Sequence, residues 1–417
     1  MDRLRIIVTG LIAQHPWLGG VAWDYLQYPL GLARLGHDVY YVEDSGQWPY
    51  TLDGGPTGGE WIASDCTPNV RHLAAIMARF GLGDRWAYRF PIRPRWFGLP
   101  HHQRCEVVRT ADLLLNVSGT LHRPTDYRSV RRLAYIDSDP VFTQVKLSLP
   151  RGQRKFQKRM RTHDVFFSFG EALAEHVPAT GIRWRPTRQP IVLPEWKPAP
   201  DSPRDVFTTV MSWTSYRPLR HRGQRYGQKD VELRRFLDLP RRVRPATLEV
   251  ALSGTRHVEW ETDAETPLPA DVRDLATRGD WSAADLLAHM GWRVVDAAAT
   301  CPDLDTYRRY VQTSLAEWSV AKNGYVRGRC GWFSGRSACY LAAGRPVVVQ
   351  DTGFGSALPV GDGILPFQTI DEAVAAIGEV RGNYARHAAA ARALAAEHFD
   401  SDRVLRQLVA AAMATDA

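Results

Sequence analysis

The sequence predicts an α/β protein built from two parallel-sheet domains, and three observations carry that reading. Its 417 residues exceed what one core usually organises, since domains run to about 100–200 residues. Continuous apolar runs, the mark of strands buried on both faces, alternate with helical stretches in both halves. An aperiodic, proline-rich segment at residues 183–205 separates those halves.

Taken in order, residues 4–11 form an apolar run expected to be the first strand. Gly19 and Gly20 open a helix in which Ala22, Leu26, Leu30 and Ala33 recur at near-helical spacing. Pro29 should kink that helix and Gly36 should end it. Residues 38–43 are the next strand, completing a right-handed βαβ unit. Residues 45–105, rich in Gly, Pro, Trp and Arg, read as an insertion with one helix near residues 70–80. Strands resume at 111–117, 133–136 and 165–169, each ending in a turn of Ser, Gly or Asp. Open α/β sheets bind ligands at such strand ends. These elements define an amino-terminal domain over 1–190 and a linker over 191–205. A second set of strands at 206–211, 248–252, 292–295 and 346–350 defines a domain over 206–380. Alanine-rich helices, beginning near Asp371, close the chain over 381–417.

Composition narrows the class. No run of about 18 apolar residues is present, as a membrane helix would need. The first apolar run is short and lacks a small-residue cleavage site, so a cytoplasmic protein is expected. Five scattered cysteines without a C-x-x-C pair argue against a disulfide framework or a zinc site. The net charge of +8 admits nucleic acid, anionic lipid or an anionic small substrate as partner. Nearly all the cations are arginine, which suits phosphate binding but also follows from a G+C-rich genome. The excess is spread along the chain without a basic tail, which disfavours nucleic acid.

The stretch RCGWFSGRSACYLAAGRPVVVQD, residues 329–351, carries the most chemistry. It reads as a Gly/Ser turn, a short helix stopped at Gly344, and a buried strand from Pro346. Ser334, Gly335, Arg336 and Ser337 fall at the helix amino terminus, where free N–H groups and the helix dipole favour a phosphate. Arg336 could pair with a diphosphate there. A helix start with no ligand leaves the same signature.

RCGWFS resembles the HCGWNS core of the donor motif in GT-B nucleotide-sugar glycosyltransferases, of the family 1 and family 4-like bacterial kind. ACYLAAGRPVVVQDTGFG is similar to their EAMA-x-G-x-PVV segment and the sugar-binding loop after it, and LARLGHDVYYVED resembles their first βαβ unit. The resemblance implies two Rossmann-like domains facing across a cleft. It implies a Leloir-type enzyme without a bound cofactor, whose co-substrate is a UDP-, GDP- or dTDP-linked sugar. The donor diphosphate is expected at residues 334–337 and beside Gly19 and Gly20, and the donor sugar near Asp351, Thr352, Gly353 and Phe354. The two glutamates of retaining relatives correspond here to Gly331 and Cys339, and the motif histidine to Arg329. That departure leans towards an inverting outcome.

Many inverting relatives place a catalytic histidine in the loop after the first strand, where this chain has His15. Histidine titrates near neutrality and can take the acceptor's proton. Asp137 is the expected orienting carboxylate, with Asp139 and Asp112 as alternatives; turn capping before Pro140 accounts for the first two equally well. Lys229, and less closely Arg217, match the cations that retaining relatives place on the donor diphosphate. Ser118, Gly119 and Thr120 would line the cleft opposite, and Lys322 lies near the donor motif in sequence. The D-x-D of residues 137–139 stands in the wrong architecture for a metal-dependent enzyme, so no catalytic metal is expected. Several amino-half tryptophans suit either a core or a sugar-stacking pocket. The expected function is sugar transfer to a small-molecule acceptor in specialised metabolism. The competing readings are a DNA- or polymer-modifying transferase, a sugar-nucleotide epimerase or glycoside phosphorylase, and an inactive sugar-nucleotide-binding protein.

Overall fold

The apolar runs pair as two largely parallel sheets in the computed structural model, which describes residues 2–51, 61–93, 95–149, 153–173, 177–199, 202–253, 272 and 281–414. The first sheet comprises β1 (Arg5–Thr9), β2 (Asp38–Glu43), β3 (Trp86–Phe90), β4 (Arg95–Gly98), β5 (Leu113–Val117), β6 (Arg132–Asp137), β7 (Val165–Ser168) and β8 (Trp184–Pro186). Its spatial order is β8-β7-β6-β5-β1-β2-β3-β4, with only β4 antiparallel to its neighbour. Two of these strands, β3 and β4, lie inside the insertion, for which the sequence predicts only one helix. Parts of that insertion, residues 52–60 and 94, lie outside the described residues.

The second sheet is wholly parallel. It contains β9 (Arg204–Ser212), β12 (Thr247–Ser253), β13 (Arg293–Asp296), β14 (Ser314–Ser319), β15 (Val347–Gln350) and β16 (Ile364–Phe367), ordered β13-β12-β9-β14-β15-β16. A hairpin of β10 (Leu219–His221) and β11 (Gln224–Tyr226) stands beside it. Strands β14 and β16 were not expected.

Strand order reverses beside β1 in the first sheet and beside β9 in the second. Open α/β sheets form crevices at such points, outside the strand carboxyl ends. Both crevices face one another. Helix α1 (Gly19–Arg34) lies between them and runs through Pro29, and Gly36 ends its turn at φ 88° as predicted.

The linker is fastened down rather than loose. Ile191, Val192 and Trp196 are fully buried, Val192 N–H donates to Gln27 Oε1 at 2.7 Å, and Trp196 packs on Trp23. The last helix, residues Ser401–Met413, returns across the first domain to pack on α1. One apolar core therefore runs from β1 through α1 into the helix at Gly335–Ala342. All five cysteines are free thiols, and no helix among the described residues is long and apolar enough to cross a membrane.

Candidate active site

The facing crevices enclose a cleft of about 420 Å³. The first domain contributes His15, Gly19, Gly20 and Asp24 from the loop after β1 and the start of α1, with Ser118 and Ser138 from strand ends. Ser212, Lys229, Lys322, Ser334, Gly335 and Arg336 close it from the second. Sequence-distant residues 15, 229 and 334–336 thus meet in one space.

In the second domain, the helix Gly335–Ala342 begins at Ser334, whose hydroxyl makes no capping bond, so the first-turn N–H groups open to the cleft without a side-chain acceptor. Arg336 is nearly buried and most of its fork is used within the protein. Nε donates to Glu317 Oε1 at 2.6 Å, and the terminal nitrogens donate to Val210 O and Ser319 Oγ at 2.8 and 2.9 Å. Burial alone would lower its pKa, but Glu317 holds it above the usual value. The expected diphosphate clamp is therefore mainly a structural ion pair, with two of five N–H groups left over. Ser337 and Phe354 are buried in a small recess beneath this helix, shared with Ser334, rather than in the main cleft.

Lys229 heads a short helix, Lys229–Leu233, and its amine forms no hydrogen bond or ion pair among the described residues. Burial, together with the nearby Arg336 and Lys322 charges, pushes its pKa well down. Three cations against one carboxylate, Asp24, line the cleft.

The predicted sugar loop is occupied in shaping itself. Asp351 accepts from Gly353 N–H at 2.7 Å and from Gln368 Nε2 at 3.0 Å, with Arg329 at 3.5 Å. Thr352 donates to Trp332 O at 2.5 Å and is buried; Phe354 packs edge-on to Phe333. None of Asp351, Thr352, Gly353 or Phe354, expected near the donor sugar, lines the cleft. Their bonds latch the loop to residues 329–332.

Gly19 and Gly20 also carry a different role. Gly19 N–H donates to Cys301 O at 3.0 Å, and a Cβ there would lie 2.0 Å from Asp303 O; at Gly20 it would meet the Tyr307 ring at 2.8 Å. The glycine pair lets α1 approach the second domain and close one end of the cleft.

In the first domain, His15 stacks on Tyr50 at 5.0 Å, and burial pushes its pKa down to about 4. Its Nδ1 is buried without a partner. No carboxylate orients it among the described residues. Asp137, expected to orient it, is buried at the end of β6 and accepts instead from Asp139 N–H, Thr143, Gln144 and Ser168. The second explanation given for it, turn capping, is the one realised.

Two participants, Glu43 and Asp24, went unseen in the sequence, and Asp139, named there as an alternative orienting carboxylate, has another partner. Glu43 at the end of β2 holds the His15 loop by accepting from Ala13 N–H and Gln14 N–H, both at 2.8 Å, and burial pushes its pKa up to about 8. Asp139 ties the domains together by accepting from Lys322 at 2.9 Å and from the hydroxyls of Tyr216 and Tyr325. Burial would raise its pKa, but Lys322 and the two hydroxyls hold it below the usual range. Asp24 makes no side-chain hydrogen bond, is open to cleft solvent, and sits where a Cβ on Gly335 would lie 3.2 Å from its Oδ1. Desolvation pushes its carboxyl up to about 7 despite the Arg336 charge.

No protein-family model and no curated protein matches this sequence. Solved structures do match its fold. An alpha-glucosyltransferase in complex with UDP and a 13-mer DNA aligns over 99% of this chain and 100% of its own, with TM-score 0.59 and 13% identity. HepE of Anabaena, in complex with UDP and glucose, aligns over 98% and 99%, with TM-score 0.54 and 11% identity. The chain has the GT-B fold, as the sequence resemblance implied.

Proposed function

We propose that the protein is a GT-B glycosyltransferase that takes a UDP-sugar in the interdomain cleft and transfers its sugar to a bound acceptor. The observation that carries this reading is the unpartnered Lys229 amine facing the uncapped helix start at Ser334 and Gly335. A half-buried cation without an anion, lining the same cleft as free helix N–H groups, is stabilised by an anion, and the phosphates of a nucleoside diphosphate supply one. UDP is the first nucleotide to test, because the solved structures of this fold named above contain it. The charges are met by protein groups alone, so transfer is read as metal-independent. The preference for inversion rests on Gly331 and Cys339 in place of the two glutamates.

His15 is the base in this reading. Its depressed pKa keeps the ring neutral at pH 7, ready to accept a proton, and Tyr50 and Glu43 fix its position. The acceptor is read as a small molecule, as expected from sequence, entering the same cleft. UDP release from UDP-glucose, followed with and without candidate acceptors, tests the class. Turnover should survive a chelator and fall about 10²-fold or more in His15→Ala. Unchanged turnover in that variant removes the base, and absence of UDP release with every nucleotide sugar removes the transferase.

A further inference from the structure

The positive charge is dispersed along the sequence, but folding collects much of it. Residues 140–163 contain seven Lys or Arg and no Asp or Glu, and residues 212–228 contain four Arg and no acid. The first segment forms the helices Phe142–Ser148 and Arg154–Met160, and the second forms the β10–β11 hairpin. The hairpin packs on the first of those helices, through Leu219, Tyr226, Phe142 and Val145. Gln157 ties the second helix to the end of the first by donating to Leu147 O and Leu149 O.

A polar groove of about 650 Å³ runs between the two segments, lined by Ser148, Pro178, His221, Arg222, Gln224 and Arg327. Arg154, Lys155, Lys158 and Arg161 on one side, and Arg217, Arg220 and Arg222 on the other, are exposed and form no ion pair among the described residues. The surface begins at the cleft rim, where Ser215 lines the cleft two residues before Arg217.

We infer that this face binds the phosphate backbone of a nucleic acid. Like charges gathered on a folded surface repel one another, and repeated phosphates along one strand relieve that repulsion while releasing counterions. A bilayer is a poorer fit, because membrane-binding faces pair cations with exposed apolar side chains. The large exposed apolar residues among those described, Trp48, Ile62 and Val360, belong to other segments. A protein partner is also a poorer fit, since protein interfaces bury an apolar centre within a polar rim. Binding here is independent of sugar transfer, but it would place a polymer against the mouth of the cleft and make a nucleic acid a candidate acceptor.

The test is fluorescence anisotropy of the full chain with a labelled DNA duplex and the matching single strand, over about 50 to 300 mM salt. Binding is expected with a slope of log K against log salt of about −4 or steeper. A variant carrying Arg154→Ala, Lys155→Ala, Arg220→Ala and Arg222→Ala should lose about 0.9 from that slope per missing phosphate contact. It should also bind at least about 10²-fold more weakly at 150 mM salt, with UDP binding and melting midpoint unchanged. Failure to bind either nucleic acid at the lowest salt overturns the inference. So does an unchanged slope in the variant, or capture by phosphatidylserine vesicles without nucleic-acid binding.

Discussion

Asp24 shows how one residue can set the electrostatics of a site. It lies one helical turn into α1, faces the start of the donor helix, and has a carboxyl pushed up to about 7 by desolvation. Below that pH it is neutral and above it anionic, at the place where the donor's phosphates are expected. Affinity for UDP-glucose, whose diphosphate does not titrate near neutrality, should fall about five- to tenfold between pH 6 and 8. The pKa of Lys229 is also lowered, by burial and by the neighbouring Arg336 and Lys322 charges. Asp24→Asn separates the two: tighter binding with a flattened profile is the expected result, and a profile unchanged from wild type rules Asp24 out. His15, Lys229, Ser334 and Gly335 could be placed in the cleft from sequence because each sits in a short motif with a fixed backbone context. Asp24 and Glu43 could not, and Asp139 was named only as an alternative to Asp137, since their roles depend on partners 29 or more residues away, at Gly335, at Ala13 and Gln14, and at Lys322.

At the scale of elements, helices and central strands were legible wherever apolar residues ran without interruption. Strand β14 was missed because Glu317 breaks its pattern; that carboxylate is fully buried and answered by Arg336 from the donor helix, a pairing visible only in the fold. The edge strand β16 contains Pro366, which central strands exclude but edges tolerate. The motif's departures from its relatives also find a reason at this scale. Gly331 adopts φ 75°, and a Cβ there would lie 2.8 Å from Ala172 N, so the loop excludes the glutamate that retaining relatives carry. Gly331→Ala should cost more than about 1 kcal/mol by urea denaturation, and Gly331→Glu should lower the midpoint further instead of restoring a retaining activity. A Gly331→Glu protein of wild-type stability would contradict this account of the loop.

Across the whole molecule, the two domains meet through α1, the buried linker and the Asp139–Lys322 pair, and the cleft between them leaves Lys229 without an anion. The GT-B layout was readable because each half repeats the alternation of buried strand and helix. The basic face was not, because it joins segments about 60 residues apart that become neighbours only on folding. The most direct test of the central claim is calorimetric titration of UDP into the wild-type protein and into Lys229→Met, with GDP and dTDP as comparisons. The account predicts saturable UDP binding at one site, weakened about tenfold or more in the variant, a difference of about 1.4 kcal/mol. No binding of any nucleoside diphosphate, or equal affinity in the two proteins, would contradict it.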